Sequence, residues 1–194
     1  MNIRESGMPE LEKWESFFDP TAVLGFFNLS HKDKTIIDFG CGYGTFSIPA
    51  AEISQGHVYA LDNNEAFLDE CQQRAKDKVL KKVHCVLRDF IGQGTGLNSD
   101  FADFVMLFNI LHAENPTAIL HEAYRVLAPD GKAAVIHWNY DSSTPRGPSM
   151  DIRPKPEQCQ SWMIEAGFEL LKPFIDLPPY HYGILGKKPG IKHI

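Results

Sequence analysis

A chain of 194 residues with 43% hydrophobic and 23% charged residues has the make-up of one globular domain with a small appendage, and at this length roughly 70% of the unfolded surface is buried on folding. The net charge of −6 argues against a broadly basic nucleic-acid-binding face, and no apolar run approaches the ~18 residues of a membrane span. The charged N-terminal stretch Met1–Glu15 lacks the apolar core of a secretion signal, and the four scattered cysteines (Cys41, Cys71, Cys85, Cys159) form no C-x-x-C pair, so a cytoplasmic protein with reduced thiols and no bound metal is expected.

Leu11, Trp14, Phe17 and Phe18 recur at helical spacing, and Asp19-Pro20 reads as the cap and first position of a second helix with the apolar stripe Val23, Leu24 and Phe27. Residues 1–30 are therefore expected to form a helical cap ahead of one domain over residues 31–194. From Thr35 strands and helices alternate. Thr35–Phe39 reads as the first strand, Gly44–Ser54 as a helix that Pro49 is expected to bend, and His57–Leu61 as the second strand, ending at Asp62. Leu68, Cys71, Ala75 and Val79 mark the next helix face. The basic run from Arg74 to Lys82 falls at the C-terminal end of that helix, where cations suit the dipole. Val83–Leu87 is the third strand and Phe101–Phe108 the fourth. Asn115-Pro116 opens a helix carrying Ile119, Leu120, Ala123, Val126 and Leu127, Pro129-Asp130-Gly131 reads as a turn, and Lys132–His137 is the fifth strand. Pro156–Ala166 is the last helix, stopped by Gly167; Phe168–Ile175 and Tyr182–Lys187 are a final strand pair turned at Leu177-Pro178-Pro179.

This alternation implies a mostly parallel sheet with helices on both faces. The last two strands have no helix between them and should close the sheet as an antiparallel hairpin. The stretch from Tyr140 to Lys155 is rich in Ser, Pro, Gly and Arg and is longer than an ordinary connection, as lids are.

In an open α/β sheet, ligands bind beyond the carboxyl ends of the strands. Those ends carry Asp38 to Gly44, then Asp62 and Asn63, then Asp89 and Phe90, then Asn109 to His112, then His137 to Tyr140. The glycine turn opens a helix and so offers free N–H groups and the positive end of its dipole. Asp62 lies 22 positions after Gly40, a spacing at which an acid takes both hydroxyls of a ribose; the alternative is a cap on the helix starting at Asn63-Asn64-Glu65, and the two roles can coexist. The turn is G-x-G-x-G, not the G-x-G-x-x-G of a dinucleotide site, and Asp38 just before it would repel a pyrophosphate. A ligand with a ribose, an adenine and a positive group fits better, which favours S-adenosylmethionine over NAD.

Asp38-Phe39-Gly40-Cys41-Gly42-Tyr43-Gly44 resembles the first motif of class I S-adenosylmethionine-dependent methyltransferases. Leu61-Asp62 resembles their second motif and Arg88-Asp89-Phe90 their third. Asp103 to His112 is similar to their fourth strand and its exit, and Tyr124 to Gly131 to the helix and turn before strand five. The resemblance covers about residues 33 to 187 and is strongest to the small-molecule branch that includes the ubiquinone- and menaquinone-biosynthesis methyltransferases. It implies a Rossmann-like, doubly wound seven-stranded sheet in the order 3-2-1-4-5-7-6 with strand seven antiparallel. It also implies methyl transfer from S-adenosylmethionine, leaving S-adenosylhomocysteine, to a small-molecule acceptor. By position it assigns the backbone of Gly40, Cys41 and Gly42 to the methionine part of the cofactor and Asp38 to its aminoacyl end. Asp62 is assigned to the ribose, Asn63, Asp89 and Phe90 to the adenine, and the Asn109 carbonyl to the ammonium. Two features depart from the family: the insert-like stretch Ile91–Ser99 and the absence of an Asn/Asp-Pro-Pro-Tyr motif after strand four. The second argues against methylation of nucleic-acid bases.

A base is useful if the acceptor is a hydroxyl or an acidic carbon, and His112 and His137 are the candidates, with His181 on the expected hairpin turn behind them. Tyr140, Arg146 and Arg153 on the long loop are candidates for holding a polar or anionic acceptor. Trp14, Phe17 and Phe18 either close a cofactor pocket or form an ordinary core stripe. The other readings left open are a non-catalytic S-adenosylmethionine-binding protein on the same fold and a nucleotide-dependent oxidoreductase.

Overall fold

The computed structural model describes residues 9–190, and the first eight residues of the expected helical cap lie outside that range. In chain order the elements are α1 (Leu11–Glu15), α2 (Pro20–Phe26), β1 (Thr35–Phe39), α3 (Ser47–Ser54), β2 (His57–Asp62), α4 (Glu65–Asp77) and β3 (Val83–Leu87). There follow α5 (Phe90–Gln93), β4 (Ala102–Phe108), α6 (Pro116–Val126), β5 (Leu127–Trp138), α7 (Pro156–Glu165), β6 (Glu169–Leu177) and β7 (His181–Lys187). The strands make one sheet in the order β3-β2-β1-β4-β5-β7-β6, with β7 antiparallel to both neighbours. This is the order that the resemblance implies. The chain divides into two units, one up to Gly96 and one from Leu97.

In the first unit β1 lies parallel to β2, from Thr35 opposite His57 to Phe39 opposite Leu61, and β2 parallel to β3, from Val58 opposite Val83 to Asp62 opposite Leu87. Strands covered on both faces read as unbroken apolar runs, and Ile36, Ile37 and Phe39 of β1 are fully buried. Helix α3 begins at Ser47, not at Gly44, because Gly44 is still left-handed (φ 78). Its carbonyl accepts from the Ile48 N–H at 3.0 Å. Pro49 is the third residue of α3, inside the first turn, where its missing N–H has no intrahelical partner to lose. The bend expected there is therefore not required. Leu68, Cys71 and Ala75 of α4 pack on Cys41, Ile48 and Ala60. The basic run serves this unit: Lys78 Nζ meets Glu52 at 2.8 Å, Lys82 Nζ meets the Gln55 carbonyl at 3.0 Å, and Arg74 donates to the Tyr43 carbonyl and pairs with Glu15. Asp19 caps α2 by accepting from the Ala22 N–H, with Pro20 first in the helix. Trp14 of α1 and Phe46, just before α3, each lie edge-on to Phe18 at 5.1 Å between ring centres; Phe17 and Phe18 fall beyond α1, which ends at Glu15.

In the second unit β4 runs parallel to β5, from Phe104 opposite Lys132 to Phe108 opposite Ile136. Antiparallel pairing of β5 with β7 runs from Lys132 opposite Lys187 to Trp138 opposite His181. The turn expected at Pro129-Asp130-Gly131 is absorbed into β5. The strand pairs once at Leu127, shifts register, and resumes at Lys132, while Asp130 takes φ 64 to absorb the shift. Asn115 caps α6 by accepting from the Ala118 N–H at 3.1 Å. Gly167, at φ 101, ends the turn after α7 as its left-handed freedom predicts.

At Gly44 a Cβ would stand 2.5 Å from Cys71 Sγ, on a backbone that L-residues rarely adopt. Gly44→Ala is therefore expected to destabilise the protein by about 2–5 kcal/mol, the sum of left-handed strain and overpacking. Urea titration measures this, and a variant as stable as its parent would show that the turn relaxes away from Cys71.

Candidate functional site

The glycine turn begins where β1 ends. Gly40 and Gly42 have φ 73 and 53, and the N–H groups of Gly40 and Cys41 both donate to the Leu61 carbonyl of β2, at 2.8 and 2.9 Å. Asp62, 7% exposed, closes this corner. Its Oδ2 accepts from the Gly42 N–H at 2.9 Å and its Oδ1 from the Asn64 N–H at 3.0 Å. The helix-cap role that Asp62 might have had belongs to Asn64, whose side chain accepts from the N–H groups of Ala66 and Phe67. The Asn63 N–H also meets this carboxylate, so three backbone donors converge on it.

Asp38 is 3% exposed, and its Oδ2 accepts from Ser47 Oγ at 2.6 Å. Burial pushes its carboxyl up to about 7, against the Ser47 hydrogen bond and with the Asp62 charge adding to the rise. Burial also raises Asp62, with the Gly42, Asn64 and Asn63 N–H groups opposing. Two carboxyl groups thus sit under the turn in surroundings that disfavour their negative charge, which is a setting for a cation.

Asp89 caps α5 by accepting from the Gly92 N–H at 2.9 Å through Oδ1. Phe90 is buried, with its ring edge-on to Phe39 at 5.2 Å, while Asn63 is exposed. The insert-like stretch after it is tied down by Arg88, which donates to the carbonyls of Gln93 and Gly94. Sequence reasoning missed one gathering here: Cys41, Cys71 and Cys85, far apart in the chain, lie in one apolar cluster. The hydrogen bond between Cys71 and Cys41, and then burial, hold the Cys71 thiol protonated. The signal available was the inward face of each element, not the cysteine spacing.

The second unit gathers a different set. Asn109 follows β4 with φ 56, a conformation that Asn tolerates better than most residues, and its N–H donates to the Ile136 carbonyl at 2.8 Å. Its side-chain Oδ1 and Nδ2 are both buried without a hydrogen-bond partner, which is costly unless a ligand completes them. His112 and His137, 5% and 0% exposed, meet at 3.3 Å between Nδ1 of His112 and Nε2 of His137. His181 does not sit on the hairpin turn as expected; it opens β7, fully buried opposite Trp138, with ring centres 4.2 Å apart. Burial holds His137 well below the usual imidazole range, and burial with the Arg153 charge brings His181 down to about 3.

Arg153 does not present a free guanidinium to an acceptor. Nε donates to the Pro148 carbonyl, and Nη1 to the carbonyls of Asn139 and Asp141 and to Thr144 Oγ1. Nη2 donates to the carbonyls of Arg146 and Pro148, all at 2.6–3.2 Å. Every N–H is committed, so Arg153 is the internal frame of the long loop, and Arg146 lends it a carbonyl. Tyr140 is 43% exposed, with Lys155 Nζ over its ring at 4.8 Å.

The Asp38 carboxyl makes stability depend on pH with a definite sign. An acid raised in the fold binds its proton more tightly there than in the unfolded chain, so its contribution is full below about 4 and is lost as pH rises to about 7. The difference in unfolding free energy between the parent and Asp38→Asn is expected to fall through that window by at most about 1.4 kcal/mol per pH unit and to level off above it. A flat difference from pH 4 to 8 would mean that Asp38 is ionised throughout.

The methyltransferase domain family matches residues 30–169. A sterol 24-C-methyltransferase of Neurospora crassa is 30% identical over 116 residues, which are 57% of this chain and 30% of that protein. A demethylmenaquinone methyltransferase of Listeria welshimeri is 30% identical over 124 residues, 60% of this chain and 48% of that one. The chain thus spans less than half the length of these curated relatives. A solved SAM-dependent methyltransferase from Aquifex aeolicus superposes with a TM-score of 0.80 at 22% identity, over 92% of this chain and 94% of that one. A 4+2 cyclase superposes with a TM-score of 0.76 at 14% identity, over 97% and 85%, so the fold alone does not dictate the reaction. The family match runs from before β1 to the start of β6 and contains the glycine turn, Asp62 and Asn109, and by it this chain belongs to the methyltransferase domain family.

Proposed function

We propose that the protein transfers a methyl group from S-adenosylmethionine to a small-molecule acceptor and releases S-adenosylhomocysteine. The observation that carries this reading is the pair of buried carboxyl groups, Asp38 and Asp62, beneath a glycine turn that ends β1. Those residues suit a cationic adenosyl ligand. The donor supplies a methyl group already activated on a sulfonium, so the protein's task is chiefly to position the partners.

In this reading the Gly40–Gly42 backbone lies along the methionine moiety and Asp38 answers its positive charge. The remaining acceptor capacity of Asp62 takes a ribose hydroxyl. Asn63, the second oxygen of Asp89 and the Phe90 ring serve the adenine. The relatives' names specify a sterol and demethylmenaquinone as acceptors, and a small molecule is the class proposed here. The chain's acidity disfavours nucleic acid, no described helix is long and apolar enough to cross a membrane, and the proposed place of action is the cytoplasm.

Calorimetry with S-adenosylmethionine and with NAD tests the donor. Binding of the first alone is expected, and Asp62→Ala should weaken it by about 1–3 kcal/mol, or roughly 5- to 150-fold. Tight NAD binding with no response to S-adenosylmethionine would overturn the reading. A pooled-metabolite assay that reads S-adenosylhomocysteine release tests the transfer, and donor binding without turnover on any pool would make the protein a non-catalytic binder.

A further inference from the structure

The second unit brings three buried imidazoles to one end of its strands: His112 on the exit of β4, His137 near the end of β5, and His181 at the start of β7. We infer that His112 meets the acceptor as a hydrogen-bond donor and not as a base, its proton fixed on Nε2 by a relay that starts at the Trp138 backbone N–H and passes through His137.

A neutral imidazole has one N–H and one lone-pair nitrogen. The Trp138 N–H donates to His137 Nδ1 at 3.0 Å, so that nitrogen is the lone-pair one and the His137 proton is on Nε2. Nε2 of His137 faces Nδ1 of His112 at 3.3 Å, with the rings edge-on at 81°. His137 therefore donates and His112 accepts at Nδ1, which leaves the His112 proton on Nε2. The opposite order would ask His137 to accept at both nitrogens, which no neutral imidazole can do. Full burial of His137, with His112, His181 and Arg153 around it, opposes the doubly protonated form and outweighs the Trp138 backbone contact, which works the other way.

A base must take a proton on a lone pair. The only lone pair of His112 is held by His137, and using it would break that bond and create a cation in a buried cluster. A fixed N–H suits an acceptor that carries an oxygen where negative charge gathers, as in an enol or a phenol. The hydrogen bond favours ionisation of that oxygen, and the proton it gives up goes to solvent. His137 is then a positioning residue, acting through His112.

What His112 touches rests on the transferase reading; where its proton sits does not. In the protein labelled with ¹⁵N-histidine, two-bond nitrogen–proton spectra at neutral pH should show Nδ1 of both His112 and His137 as lone-pair nitrogens. The His112 signals are identified by their loss in His112→Gln. A protonated Nδ1 on His112 overturns the inference. His137→Phe should move the His112 proton toward Nδ1, which a purely packing role of His137 would not do. In the pooled-acceptor assay His112→Gln, which keeps a donor, should stay within about tenfold of the parent, while His112→Glu should lose about 10²–10³-fold. The reverse ranking would mean a base. If the parent turns over nothing in the pool, the transferase reading fails while the nitrogen spectrum still decides the tautomer.

Discussion

The first unit hangs on one carboxylate. Asp62 ends β2 and reaches sideways to the Gly42 N–H and onward to the Asn64 N–H, so one side chain ties the glycine turn to the start of α4. A buried carboxylate is tolerable only where donors meet it, and these two backbone donors come from segments brought together by the parallel pairing of β1 with β2. The left-handed glycines let the turn fold close enough for this. Strand pairing and turn shape are thus a single constraint.

The strands and their order were readable because covered parallel strands leave an apolar run ending in a polar residue. Ile36-Ile37-Asp38 and Ala60-Leu61-Asp62 show both signals, and the motif resemblance supplied the order. Boundaries slipped where a local conformation overrode the pattern. Gly44 and Asp130 each adopt a left-handed backbone that delays a helix or bends a strand, and composition alone does not announce that. Pro49 looked harmful only while the helix was thought to start three residues earlier.

Polar partners were the least legible feature. Arg153 looked like an anion binder because arginine on a loop usually faces solvent, yet a loop without strands or helices leaves many carbonyls unsatisfied, and a guanidinium with five donors can gather them. The same logic hid the thiol cluster and the histidine relay. Both depend on which atoms face one another across strands, and residue spacing does not encode that.

The raised Asp38 carboxyl has one more consequence. Raised to about 7 by burial, it changes its charge near neutrality. A cationic ligand bound beside it, as proposed, would favour the ionised form, so binding would expel part of a proton into solution. On that reading the turn would exchange one positive charge for another. The heat measured on binding includes the buffer's heat of protonation, and apparent affinity strengthens toward alkaline pH until the carboxyl is ionised in advance.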